Sequence, residues 1–143
     1  MQLITDVKVV RVMNDVAAGT SNQNSTHIDT QDQEGVTFIA MLGALTATQV
    51  TGMKIQGGAL ADDSDMADLS PALAVGPMAD GDSNKMLIID VRKIQHRYVR
   101  AVVTRGTANA VIDGVVALVY GPRRMPVAID ATTSKSSSAN EPS

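Results

Sequence analysis

The chain has no cysteine and no tryptophan. Without cysteine there is no disulfide framework, no thiolate nucleophile and no cysteine-ligated zinc. Aromatic residues make up only 2% of the 143 residues: Phe38, Tyr98 and Tyr120. Single-stranded nucleic-acid binders stack bases on aromatic platforms, and sugar sites stack rings in a similar way, so this chain suits neither class. An excess of basic charge is also missing. The net charge is −3, whereas a phosphate-backbone binder carries a basic stripe. The longest near-apolar run, from Val36 to Ala47, falls well short of the roughly 20 residues a spanning helix needs. The opening residues, Met1-Gln2-Leu3-Ile4-Thr5-Asp6, lack the basic start and apolar stretch of a secretory signal. The protein is therefore expected to be made in the cytoplasm, with no membrane or nucleic-acid partner.

What remains is an aliphatic chain. Apolar residues are 44% of the sequence and include 8 Met. A single domain of this length buries roughly 70% of the surface its unfolded chain exposes, enough for a core without staples. β-Branched residues dominate the patterned segments, and Gly, Asn, Asp and Pro punctuate them at short intervals. This is the pattern of an antiparallel β-sandwich or barrel. Strands are expected near 3–12, 25–30, 35–42, 49–56, 86–91, 98–104 and 110–120, with a weaker one near 73–78, about eight in all. The sandwich domain spans 1–128. The Ser- and Thr-rich tail, 129–143, holds too few apolar side chains to repay its ordering entropy alone.

Two runs stand out. In Tyr98-Val99-Arg100-Ala101-Val102-Val103-Thr104 the alternation points Val99, Ala101 and Val103 inward, with Arg100 and Thr104 outward. The run from Val111 to Tyr120 is apolar on both alternating faces after Gly114, which predicts a strand covered on both sides. The segment Arg105-Gly106-Thr107-Ala108-Asn109 between them has the length and glycine of a hairpin loop, so 98–120 is expected to be one long hairpin. The region 57–84 reads as long loops with a short helical turn at 65–69.

The inventory of chemical motifs is thin. His27 and His96 stand alone, without metal-ligand spacing. Asp62, Asp63, Asp65 and Asp68 present carboxylates close together, but no sharp-turn Gly or distal Glu completes a calcium loop. Asp80, Asp82 and Asn84 open like an EF-hand loop; Lys85 then stands where Gly is required and Val91 where Glu is required. No G-x-S-x-G, Walker or dinucleotide fingerprint occurs. The expectation is a non-enzymatic protein with no cofactor, no metal and no small-molecule substrate. The basic residues Arg92, Arg97, Arg100 and Arg105, followed by Arg123 and Arg124, are candidate protein-contact residues. Asp62, Asp63 and Asp65 are candidates of the opposite sign, and could pair with the arginines of a neighbouring copy. Arg97 and Arg100, three apart on a strand, are expected on opposite faces.

Four blocks carry a family likeness: Ser64-Asp65-Met66-Ala67-Asp68-Leu69, Met86-Leu87-Ile88-Ile89-Asp90-Val91, the stretch from Arg97 to Thr107, and Val119-Tyr120-Gly121-Pro122-Arg123. Together they cover less than half of the chain. They resemble capsid decoration, or cement, proteins of tailed bacteriophages. The resemblance implies a jelly-roll-like β-sandwich that sits as a homodimer or homotrimer on the outside of the virion. It also implies that the protein bridges major capsid protein subunits and holds the expanded shell against internal pressure. Other virion roles (tail tube, head–tail connector, fibre tip) and a ligand-binding β-sandwich module are the alternatives.

Overall fold

A computed structural model describes residues 3–121 and 129–137. A single helical turn, α1 (Leu3–Asp6), leads into β1 (Val7–Met13), β2 (Val16–Gly19), β3 (Gln23–Asn24) and β4 (Ile28–Asp29). Then follow β5 (Gly35–Leu45), β6 (Gly52–Gly58), β7 (Ala67–Asp68), a 3-10 turn (Pro71–Leu73), β8 (Ala74–Val75), β9 (Met86–Arg92), β10 (Tyr98–Thr104) and β11 (Ala110–Tyr120). The helical turn replaces the first residues of the expected strand, and pairing starts where the valines begin. The turn expected at 65–69 is strand β7, and the helical turn comes later, where Ser70 accepts a hydrogen bond from the Ala72 amide and Pro71 pre-sets the backbone.

Two antiparallel sheets pack face to face. The first runs β1-β11-β5-β9, with β2 continuing beside β11. The second runs β3-β10-β6-β7, with β4 also on β10 and β8 on β6. The short strands extend one another: β1 with β2, β3 with β4, β7 with β8. Numbered as eight segments in chain order, the sheets read 1-8-3-6 and 2-7-4-5. Their inner faces supply an aliphatic core around Phe38, Leu42, Met53, Ile55 and Ile112, all essentially without solvent contact. Val99, Ala101 and Val103 of β10 are fully buried, and Arg100 and Thr104 lie on the other face.

Residues 98–120 are not a hairpin. β10 pairs with β3, β4 and β6 in the second sheet, and β11 pairs with β1, β2 and β5 in the first. Both strands carry an apolar inner face, and lying in opposite layers brings those faces against each other. The crossing is held by Arg105, which is 7% exposed. Its guanidinium donates to the carbonyls of Ser21 (2.7 Å), Ala17 (2.9 Å) and Ala110 (2.8 Å), and its own amide donates to Asn22 Oδ1. The planar fork satisfies several carbonyls that the crossover would otherwise leave unpaired.

The start of the tail is held by its own chain. Asp130 pairs with Lys8 at 3.4 Å, and Thr132 Oγ1 accepts from the Arg11 amide at 3.1 Å. Ile4, Val7, Val9 and Ile129 line one small, largely apolar cavity beside β1.

Candidate functional site

The two outer faces of the sandwich differ in chemistry. On the first sheet, strand register aligns Arg11, Val116, Ile39 and Ile88 in one row across β1, β11, β5 and β9. The next row is Val9, Leu118, Thr37 and Asp90, and on the other side Gly114, Met41 and Met86 align. Alternate residues of the same strands, such as Ala117, Phe38 and Ile89, are in the core, so these rows face away from it. Met86 is 57% exposed, Ile88 52% and Val9 36%. Ile39, Met41, Val116 and Leu118 are half-buried by their neighbours. The result is a continuous aliphatic belt on the outside of the molecule. The run 115–119 therefore has one face in the core and one in this belt, which no described segment of the chain covers across β11.

A polar cluster closes one end of the belt. Asp90 accepts from the Tyr120 hydroxyl (2.6 Å), Arg92 Nε (2.9 Å) and the Thr37 hydroxyl (3.0 Å). Tyr120 reaches across β5 because Gly35 lies beneath its ring; a Cβ there would collide with the phenol and with the Val91 carbonyl. Partial burial pushes the Asp90 carboxyl up, but the three donors outweigh it and hold it below the ordinary carboxylate range. Burial and the same carboxylate raise the Tyr120 hydroxyl.

The second sheet's outer face is a polar ladder. Arg100, opposite Gln56, donates to its Oε1 from Nε (3.0 Å) and Nη2 (2.7 Å). Gln56 Nε2 donates to Asp68 (2.8 Å), and Lys54 pairs with the other oxygen of Asp68 at 3.0 Å. These hydrogen bonds, Gln56 first, lower the Asp68 pKa. At the other end Asp63 lies 2.7 Å from His27 Nδ1 and 3.9 Å from Arg100. The His27 ring meets Tyr98 edge-on at 4.8 Å, and Arg97 lies over the Tyr98 ring at 5.2 Å while donating to Asp29. Arg97 and Arg100 thus join one network. Arg97 precedes β10 and folds over Tyr98, so the strand alternation that predicts opposite faces does not apply to it.

The candidate residues do not form one patch. Arg97, Arg100 and Asp63 meet on the second sheet, Arg92 sits on the edge of the first, and Arg105 is inside the crossover. Asp65 accepts from the amides of Ala59 and Leu60, and Asp62 accepts from Ser64, so both shape their own loop. Arg123 and Arg124 lie outside the described residues. The acidic loop pairs with an arginine of its own chain. The His27–Asp63 contact joins residues 36 apart in sequence, and no local motif signals it. Asp80 and Asp82 likewise accept backbone amides, from Thr48 and Ala79. Among the described residues no three His, Asp or Glu side chains converge as a metal site, and no helix is long and apolar enough to cross a membrane. An open depression of about 530 Å³ beside β6 and β8 is lined by residues such as Val50, Pro71, Val75 and Thr104, with Lys54 its one charged side chain.

No protein-family model matches the chain, and no curated protein matches it.

Proposed function

We propose that this chain is a structural protein of a tailed-bacteriophage virion. In this reading it is a capsid decoration protein that binds the outer surface of the head and bridges major capsid protein subunits. The observation that carries the reading is the aliphatic belt of the first sheet. A sandwich that works alone keeps its outer faces polar, as the second sheet does, while contiguous exposed apolar surface marks a place where another protein sits. The strand orders 1-8-3-6 and 2-7-4-5 fit a jelly-roll reading of the sandwich, in support of the likeness carried by residues 64–69, 86–91, 97–107 and 119–123. Many copies on one shell would multiply a modest contact through avidity.

The test is co-sedimentation of the purified protein with expanded phage heads lacking their decoration protein, alongside the double variant Ile39→Lys, Val116→Lys. The wild type is expected to pellet with heads and the variant to remain in the supernatant while keeping its β-sheet circular dichroism. A wild type that ignores heads, or a variant that binds them as well as the wild type, overturns the reading.

A further inference from the structure

The four sides of the two sheets are not equally protected. In the second sheet, the outermost strands β3, β4, β7 and β8 are two residues each, too short to template another chain. In the first sheet, β1 is broken by a bulge between Arg11 and Met13, and its edge is covered by the tail through Lys8–Asp130 and the Arg11–Thr132 bond. Bulges, short strands and covering segments are the usual guards of a sheet edge. β9 is neither short nor bulged, and the 3-10 turn and β8, which come close to it, form no backbone hydrogen bond with it. It runs seven residues in unbroken register with β5, from Gly35↔Arg92 to Met41↔Met86, and contains no proline. Among the described residues, no hydrogen bond from any segment other than β5 reaches the backbone of 86–92. Beside that free backbone stand Met86 and Ile88, the two most exposed large apolar residues of the described chain.

We infer that β9 is a strand-addition site and that its occupant is β9 of a second copy of this chain, paired antiparallel about a two-fold axis at Ile88. The inference rests on the reading of the first sheet's outer surface as a protein-contact surface. A second β9 covers both copies' liabilities at once, as an isologous interface does. With Ile88 opposite Ile88, Leu87 faces the partner strand's Ile89, and Met86 faces its Asp90. The four exposed Met86 and Ile88 side chains then form one cluster on the outer face. The two Asp90 carboxylates stand four residues apart, roughly 13 Å at strand rise. Centring the pair on Ile89 would instead place the two carboxylates on neighbouring diagonal positions. No unpaired charge enters the contact, because Arg92 is bound to Asp90 and Lys85 to Asp82 within each copy, both at 2.9 Å. The joined first sheets make one sheet eight strands across, with β1 and β2 sharing a place in each copy, and its aliphatic belt is doubled in width.

The absence of cysteine makes the test direct. In the full chain, Ile88→Cys is expected to form a disulfide-linked dimer under mild oxidation, while Val9→Cys, on the same face but at the far side of the sheet, stays monomeric. Ile88→Lys should weaken dimerisation at least tenfold by analytical ultracentrifugation. Amide exchange of 86–92 should slow as wild-type concentration rises. A wild type that sediments as a monomer at 100-fold excess over working concentration, or equal cross-linking at both positions, overturns the inference. If such a monomer still pellets with heads, the decoration role stands and the edge proposal alone falls. If the dimer forms but heads are ignored, the reverse holds.

Discussion

Both outer faces of this sandwich are built by the same device, alternation along antiparallel strands, yet they have opposite chemistry. The second sheet turns Lys54, Gln56, Tyr98 and Arg100 outward, and each finds a partner within the chain. The first turns out Ile39, Met86, Ile88, Val116 and Leu118, which no described segment of the chain covers, with Val9 beside Ile4 and Ile129 at its far side. A polar face already satisfied by its own ion pairs and hydrogen bonds gains little from a partner, since those groups would have to be desolvated again. An aliphatic face gains about 25 cal/mol for each Å² it removes from water. On the proposed reading, this difference suits the first sheet to association and the second to solvent and internal order.

The comparison presupposes that the two layers stay in place, and the largest expected effect comes from removing what spans them. Arg105→Ala leaves the carbonyls of Ser21, Ala17 and Ala110 without their donor in a buried setting. Unmet buried acceptors cost about 1–3 kcal/mol each before relaxation and water entry, so the variant should lose about 3 kcal/mol. Urea denaturation of wild type and variant checks this. Arg105→Lys should recover only part of the loss, since an ammonium cannot reproduce the planar fork. Equal stability of all three proteins would show that the crossover is held by something else.

That residue also marks the limit of what was legible beforehand. The strands richest in valine and isoleucine, β9, β10 and β11, lie within a residue or so of where their patterns place them, and the inward set Val99, Ala101 and Val103 follows from alternation alone. β2 and β7 escaped because Val16-Ala17-Ala18-Gly19 and Ala67-Asp68 carry no period; neighbouring strands impose their extended form. Which sheet a strand joins depends on contacts far away in the chain, so a five-residue link between two apolar strands looks like a hairpin whether or not they pair. For the same reason Arg105 resembled the surface arginines beside it. The clue to the candidate site was sharper: apolar residues on both faces of 115–119 called for cover on both sides, and the described chain provides it on one.

A smaller effect on stability and a larger one on association are expected from charge placed in the belt. Leu118 is half-buried in the belt, in the row beside its polar end, and in Leu118→Lys the ammonium is free to extend into solvent. The variant should lose about 1 kcal/mol of unfolding free energy and bind heads more weakly by roughly tenfold to a hundredfold, as loss of an apolar interface contact does. On the second sheet the matched change is Arg100→Ala. It breaks two bonds to Gln56 and should also cost about 1 kcal/mol, but it should leave binding to heads unchanged. Parallel sedimentation of the two variants breaks the comparison if Arg100→Ala proves the more damaging to binding.

The smallest expected effect is a pH dependence where the belt meets its polar end. Asp90 titrates below the ordinary carboxylate range because three donors outweigh partial burial. Its unfolded-state pKa is therefore the higher of the two. The stabilisation is fully present above about pH 4 and is lost as pH falls through the folded-state value. Asp90→Asn keeps an acceptor for Tyr120 and Thr37 but carries no proton-linked charge. Its melting temperature should fall less steeply than the wild type's between pH 4 and pH 2, and the two curves should converge in acid. Asp68, on the second sheet, is also held low, by Gln56 and Lys54, but it lies far from the belt. Acid should therefore weaken its ladder without touching association, whereas protonating Asp90 frees Arg92 beside the β9 edge and should loosen self-association as well. Sedimentation of Asp90→Asn and Asp68→Asn at neutral pH separates the two: only the first should mimic the acid behaviour of the wild type.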